Sequence, residues 1–264
     1  GTYDSASEVS RAVIKIKNKQ AIACMREAGH RLARVMATVA DKVVVGVTTA
    51  ELDACIEQSM RAHGLVPVCK GYAGYKHASC ISVNQTVVHG IPSTKIVVSD
   101  GDCVSVDMVG SYKGYCADMA RTFLVGSPRP VVVTLRDVAY RALEAGLKSI
   151  KPGMHLSNLS ATIQSVVEQA GFGVVRDFVG HGIGREIHED PQVPNFGVPG
   201  EGPIVRVGMT LAIEPMITEK GYEVVVLPDG WTVNTIDGGY AAHVEDTVVI
   251  TENGVEILTR LPQG

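Results

Sequence analysis

Apolar positions at helical spacing recur in pairs along this chain. Gly46-Val-Thr-Thr-Ala-Glu-Leu52-Asp-Ala54-Cys-Ile56, ending at Gly64, reads as an amphipathic helix, its apolar side chains falling on one face at the 3.6-residue period. Gly153-Met-His-Leu-Ser-Asn-Leu159-Ser-Ala161-Thr-Ile163, ending at Gly171, repeats the pattern 107 positions later. Thr48 with Glu51 three residues on predicts a capping box, and a glycine closes each helix. The same offset lays Gly101-Asp-Cys-Val104-Ser-Val106-Asp107 over Gly208-Met-Thr-Leu211-Ala-Ile213-Glu214. Each is a glycine followed by an alternating strand that ends in a carboxylate. A helix predicted around residues 18–40 also resembles 133–150 after a small shift. One offset shared by a helix and a strand predicts a duplicated α/β unit, about 12–125 and 130–259. Both halves are expected within one domain spanning 12–264, joined at Ser127-Pro128-Arg129-Pro130. Residues 1–11 read as a flexible polar extension.

Acids interrupt the strands. Val104-Ser-Val-Asp107-Met-Val-Gly110, a Ser-Tyr-Lys-Gly turn and Tyr115-Cys-Ala-Asp118-Met-Ala-Arg-Thr-Phe-Leu predict a hairpin with a carboxylate on each arm. Neither aspartate sits at a turn, and a buried carboxylate without a partner is costly. Arg121 is one candidate partner. Leu211-Ala-Ile-Glu214-Pro215-Met and His243-Val-Glu245-Asp246-Thr-Val-Val-Ile place two more acids within strand patterns. If the halves face each other, four carboxylates converge and repel, and divalent metal ions resolve the conflict. An oxygen-rich set with one imidazole suits Mn, Fe, Co or Zn. The imidazole is expected in Gly180-His181-Gly182-Ile-Gly184-Arg-Glu-Ile-His188, where glycines permit close backbone approach.

Composition narrows the field. With 45 % hydrophobic residues the chain can bury a core without staples. The formal net charge of −4 disfavours nucleic acid as substrate. The basic cluster Arg11, Lys15, Lys17 and Lys19 reads first as a solvated helix face. Six cysteines without a Cys-x-x-Cys pair point to a reducing cytoplasm rather than a disulfide framework. No apolar run approaches the ~18 residues of a membrane span. No serine occupies a Gly-x-Ser-x-Gly elbow, no His-Glu-x-x-His occurs, and Gly171-Phe-Gly173 is an incomplete dinucleotide fingerprint.

Asp107, Asp118 eleven residues on, Gly-His181-Gly-Ile-Gly, His188, Ile-Glu214-Pro and Val-Glu245-Asp together resemble the methionine aminopeptidases. The likeness runs in order from about residue 12 to 260, without the helical insertion of type II enzymes, and so points to a bacterial-style type I member. It implies the α+β pita-bread fold: two pseudo-symmetric α/β halves with antiparallel sheets around a central dimetal cleft. It also implies two divalent ions, with Asp118 and Glu245 bridging, Asp107 on one ion, and His181 with Glu214 on the other. By the same resemblance Glu214 moves the proton of the attacking water. His188 would donate to the scissile carbonyl oxygen, and His89 in Val88-His89-Gly90-Ile91-Pro92 would contact the scissile nitrogen. Cys69, Tyr72, Tyr75 and Cys80 resemble one wall of the side-chain pocket, Phe178 and Trp231 the other, although core packing alone also accounts for any one of them.

The expected reaction is removal of the initiator methionine from nascent polypeptide N-termini, with a small second residue preferred, by a cytoplasmic monomer. Work on nascent chains would imply transient ribosome contact, with Arg11, Lys15, Lys17 and Lys19 as the candidate surface. Three rivals share the scaffold, and of these the creatinase-like hydrolases lack this metal set. Proline-directed peptidases usually carry a large N-terminal domain, and the ligand-bearing part begins almost at once here. Non-catalytic binding proteins on this fold typically lose ligands.

Overall fold

Helices form where the 3.6-residue spacing predicts them, within the residues 13–262 that the computed structural model describes. They are α1 (Lys19–Ala40), α2 (Thr49–Ala62), α3 (Pro130–Ser149) and α4 (Ser157–Gln169). Asn18 caps α1 by accepting from the Ala21 N–H at 2.9 Å. Thr48 caps α2 through the Glu51 N–H. Only half of the expected capping box forms, because the Thr48 hydroxyl also donates to the Glu51 carboxylate at 3.1 Å. Pro130 opens α3 at the first turn, where its missing N–H costs nothing.

The first-half strands are β1 (Val66–Pro67), β2 (Ser79–Val83), β3 (Thr86–Val88), β4 (Cys103–Tyr112) and β5 (Tyr115–Leu124). After α4 come β6 (Gly173–Val174), β7 (Gly180–Gly182), β8 (Glu189–Val193), β9 (Thr210–Ile213), β10 (Met216–Thr218), β11 (Val224–Val226), β12 (Val233–Thr235), β13 (Ala241–His243), β14 (Asp246–Thr251) and β15 (Gly254–Ile257). Every pairing between these strands is antiparallel. One sheet has β4 at its centre, with β1 and β2 on one edge and β5 on the other. The larger second sheet runs β15-β14-β9-β7-β8. The architecture is α+β.

Each helix pair covers one sheet. Leu32, Leu52 and Ile56 pack with Val104, Val106 and Met108, while Leu135, Leu143, Leu159 and Ile163 pack with Leu211, Ile213 and Val248. Each such burial is worth about 1.5–3 kcal/mol relative to exposure. Met25, Val109, Ile183, Ala212, Val249 and Leu258 form a smaller cluster of their own. The sheets touch where Ala120 of β5 and Glu245 exchange backbone hydrogen bonds of 3.2 and 3.0 Å.

One expectation changes here. Lys15 and Lys17 do not lie on a helix face, because α1 begins only at Lys19. Lys17 is turned inward and pairs with Glu189 at 2.6 Å, while Arg11 and the extension 1–11 lie outside the described residues. Among the described residues, no helix is long and apolar enough to cross a membrane.

Candidate metal centre

Strand alternation delivers the first two acids. The β4–β5 hairpin turns at Lys113 (φ 49°) and Gly114 (φ 82°), the left-handed pair that a tight two-residue turn requires. Its register pairs Asp107 with Ala120 and Val109 with Asp118. Residues two apart share a face, so both aspartates leave the same side of the hairpin. The second-half acids arrive differently from the expectation of acids within strands. Glu214 and Pro215 separate β9 from β10, and Val244 and Glu245 separate β13 from β14. Pro215 has no N–H for a ladder bond, so the strand breaks there.

His181 comes from β7, whose flanking glycines are sterically required. A Cβ on Gly180 would sit 2.4 Å from the Ala212 carbonyl oxygen, and one on Gly182 would sit 2.1 Å from that of Asp190. His181 Nδ1 lies 2.9 Å from the Gly182 carbonyl oxygen and donates to it. In the neutral ring that bond leaves Nε2 as the lone-pair nitrogen. Nε2 stands 3.5 Å from Asp118 Oδ2, 3.8 Å from Glu214 Oε1 and 3.9 Å from Glu245 Oε2.

Two ligand groups emerge among the described residues. One donor atom each from Asp107, Glu214, His243 and Glu245 lies within 4.8 Å of the others, and so does one each from Asp118, His181 and Glu245. Glu245 belongs to both. Asp107 Oδ1, Asp118 Oδ1 and both Glu245 carboxylate oxygens are buried with no hydrogen-bond partner. Unpartnered buried carboxylate oxygens are strongly unfavourable unless a cation supplies the missing interaction. A donor set of four carboxylates with imidazole fits divalent ions of the first transition row.

Arg121 does not serve these aspartates. Its guanidinium donates to Asp246 Oδ1 at 2.8 Å and to the carbonyl oxygens of Ala120, Glu245 and Thr259. The cluster thus holds its negative charge without an arginine.

Protons take up the strain. Burial, together with the charges of Asp118 and Glu214, pushes the Glu245 carboxyl far above the usual range; burial and Asp118 do the same to Asp107. Burial would also raise Asp118, but the His181 imidazole holds it below the ordinary carboxylate range. Burial would lower His181, yet Asp118 and Glu214 raise it to about 9. Burial pushes His89 and His188 down, which keeps both neutral near pH 7.

Above this floor lies a cavity of about 210 Å³, the share of roughly seven water molecules at ~30 Å³ each. That is room for one side chain. Cys69, Tyr72, Tyr75, Cys80, His89, Phe178, His188 and Trp231 all line it, with Asp107, Asp118, His181 and Glu214. Glu245 lies beneath, with no solvent exposure. Val88, Val109, Val179, Ile187 and Met216 complete the walls and have no counterpart in the sequence reading. Trp231 packs edge-on to Tyr75 at 4.9 Å, and Phe178 to His89 at 5.4 Å. His89 holds φ 59°, a left-handed conformation that a non-glycine residue rarely adopts and that clusters at functional sites. Tyr72 Oη lies 3.1 Å from His188 Nδ1. One residue at the floor escapes sequence reasoning altogether: His243, whose Nε2 lies 3.2 Å from Glu214 Oε2. A histidine following two alanines in a short strand carries no periodicity signal that marks it.

Comparison with known proteins gives one consistent neighbourhood. The model of metallopeptidase family M24 matches residues 23–252. Methionine aminopeptidase 1 of Bacillus subtilis is 43 % identical over 249 residues, covering 94 % of this chain and 100 % of the relative. The crystal structure of methionine aminopeptidase from Thermotoga maritima superposes with a TM-score of 0.93 at 46 % identity, covering 94 % of this chain and 100 % of that one. The X-Pro aminopeptidase structure from Thermotoga maritima is more distant, with a TM-score of 0.73 and 25 % identity, covering 94 % of this chain and 63 % of that one.

Proposed function

The chain belongs to metallopeptidase family M24, and on that premise we propose that it is a metallo-aminopeptidase that removes the initiator methionine from nascent polypeptide N-termini. The observation that carries this reading is the acid and imidazole floor, with its unpartnered carboxylate oxygens, beneath an apolar cavity sized for one side chain. The proline-directed alternative is not favoured, since identity falls from 46 % to 25 % between the two structural neighbours.

Two divalent ions fit the two ligand groups. Asp107, Asp118, His181, Glu214 and Glu245 would hold them, with Glu245 shared. Bound there, the ions supply Lewis acidity that draws a water's pKa toward neutrality and seats a free α-amine. Cobalt, manganese, iron and zinc all suit the donor set.

The protein's own groups do the rest. Glu214, held below its usual range despite burial, chiefly by His243 and the charge on His181, accepts the proton of the attacking water and returns it to the leaving amine. Neutral His188 donates to the scissile carbonyl oxygen as charge develops on it. When the Tyr72 hydroxyl donates to Nδ1, the imidazole proton rests on Nε2, the tautomer able to make that donation. His89 contacts the scissile nitrogen. Cys69, Tyr75, Cys80, Phe178 and Trp231 enclose the methionine side chain, whose thioether suits soft, aromatic walls. Burial, with Asp107 nearby, pushes the Cys80 thiol up, so it acts as an apolar wall and not as a nucleophile. The preference for a small second residue, a monomeric state and a cytoplasmic setting belong to the same proposal. Transient ribosome contact does too, with its surface reduced by the inward pairing of Lys17.

Release of free methionine from a Met-Gly-Met peptide tests the reading, using metal-stripped protein with metals added back. Metal-dependent release, absent from an Xaa-Pro peptide, is expected. Cleavage of the Xaa-Pro peptide in preference would establish the proline-directed reading instead.

A further inference from the structure

His243 is the one imidazole at the floor to which neither the sequence nor the family resemblance gives a role. It is 2 % exposed. Its backbone is clamped into the first half of the molecule. The N–H reaches Thr122 Oγ1 at 3.2 Å and Ser105 Oγ at 3.3 Å, and the carbonyl accepts from the Thr122 hydroxyl at 2.8 Å. Across β10 it pairs with Met216, two residues beyond Glu214. The ring therefore has a fixed base and, among the described residues, one hydrogen-bond partner, Glu214 Oε2 at 3.2 Å, with carboxylate oxygens of Asp107 and Glu245 within 4.8 Å.

Glu214 divides its oxygens. Oε2 faces His243 Nε2, while Oε1 faces His181 Nε2 at 3.8 Å. The glutamate backbone is pinned as well, since Asn195 Nδ2 donates to its carbonyl at 3.0 Å. A carboxylate free to rotate can chelate a cation with both oxygens or with either one. A carboxylate bound at one oxygen by a rigid donor presents only the other.

We propose that His243 is a positioning residue of the metal centre, whose Nε2–H donates to Glu214 Oε2 and so leaves Oε1 as the single oxygen that Glu214 presents to a cation. The proposal rests on the reading of the cluster as a metal site, but not on which peptide bond is cut. Outer partners of ligating carboxylates typically contribute 10–100-fold to metal affinity. The inference also distinguishes the two buried imidazoles. His181 carries its proton on Nδ1 and offers Nε2 as a ligand, whereas His243 carries its proton on Nε2 and ligates nothing.

Two readouts test this without peptidase activity. In zinc-filled wild-type protein, long-range ¹H–¹⁵N spectra are expected to show the His243 proton on Nε2 and the His181 proton on Nδ1. A His243 ring with no Nε2 proton would overturn the proposal and make it a direct ligand. In calorimetric titration of metal-stripped protein with Mn(II), H243L is expected to lose roughly 10–100-fold in affinity at one site. H243Q keeps an N–H donor and is expected to stay within about threefold of wild type. Equal losses in H243Q and H243L would also overturn the proposal. Zinc uptake with the expected protonation pattern but no methionine release would leave the positioning role intact and sink only the assigned reaction.

Discussion

Glu245 and Asp246 are neighbours in sequence, both without solvent exposure, and they live in opposite electrostatic worlds. Asp246 accepts from Arg121, from Arg260 at 2.9 Å and from the Thr259 hydroxyl at 2.7 Å. Arg260 continues to Glu144, closing a satisfied network. Glu245, one residue earlier, points to the other face and meets Asp107, Asp118 and Glu214, with neither of its oxygens bonded. Burial of an acid is common to both. The partner is what differs, and it separates a structural ion pair from a cation site.

The contrast is broken most severely at Glu245. Replacing it with glutamine, of the same shape, is expected to cut methionine release by about 10³-fold, several kcal/mol of lost transition-state stabilisation. The melting temperature of metal-free protein is expected to hold near neutral pH, since the raised Glu245 carboxyl already carries a proton there and glutamine replaces one neutral group with another. A lowered metal-free melting temperature would show that Glu245 has a structural partner after all.

Asp246→Ala should invert that pattern. It strands Arg121 and Arg260 beside a buried void, a class of change that costs about 3–5 kcal/mol. The lower end applies because the Arg260 side chain is 36 % exposed. Urea denaturation reads the loss, and metal content should remain unchanged. Lost metal with unaltered stability would erase the distinction between the two acids.

A pH series sharpens the comparison further. Asp107 and Glu245 are raised, and His181 is raised to about 9, so at neutral pH the metal-free site holds protons that a cation must displace. Metal affinity should therefore tighten as pH rises toward about 9. Calorimetry in buffers of different ionisation enthalpy counts the released protons, and heats independent of buffer would contradict the scheme. Stability of the metal-free chain runs the other way. Groups raised on folding bind more protons folded than unfolded, so their contribution is complete below the unfolded values and is lost as pH climbs through the folded ones.

The smallest expected effect lies at Tyr72→Phe. Losing one hydrogen bond worth about 0.5–1.5 kcal/mol should lower kcat roughly 2–10-fold with little change in KM. A pure KM effect would make Tyr72 a wall of the pocket and nothing more.

The four acids were legible in the sequence because they violate it: each interrupts an apolar strand pattern where a carboxylate has no business without a partner. The helices were legible from spacing and caps. What surrounds the acids was not. Arg121 stands three residues from Asp118, near enough to invite pairing, yet its side chain reaches Asp246 on the far face. His243 finds Glu214 across 29 residues through the β10–β13 pairing, and neither three-residue strand is long enough to set up a period. Lys17 looked like solvated charge until Glu189 met it from 172 residues away. Local pattern reports a residue's own misfit, while its partner depends on register between short strands that pattern does not encode.

The most direct test of the central claim is a count of ions. Metal-stripped protein, refilled with Mn(II) under argon and freed of unbound ion, should carry two ions per chain in the wild type. It should still carry two in Asp246→Ala, and fewer than two in Glu245→Gln. A folded wild-type protein that retains no divalent ion would contradict the account at its root.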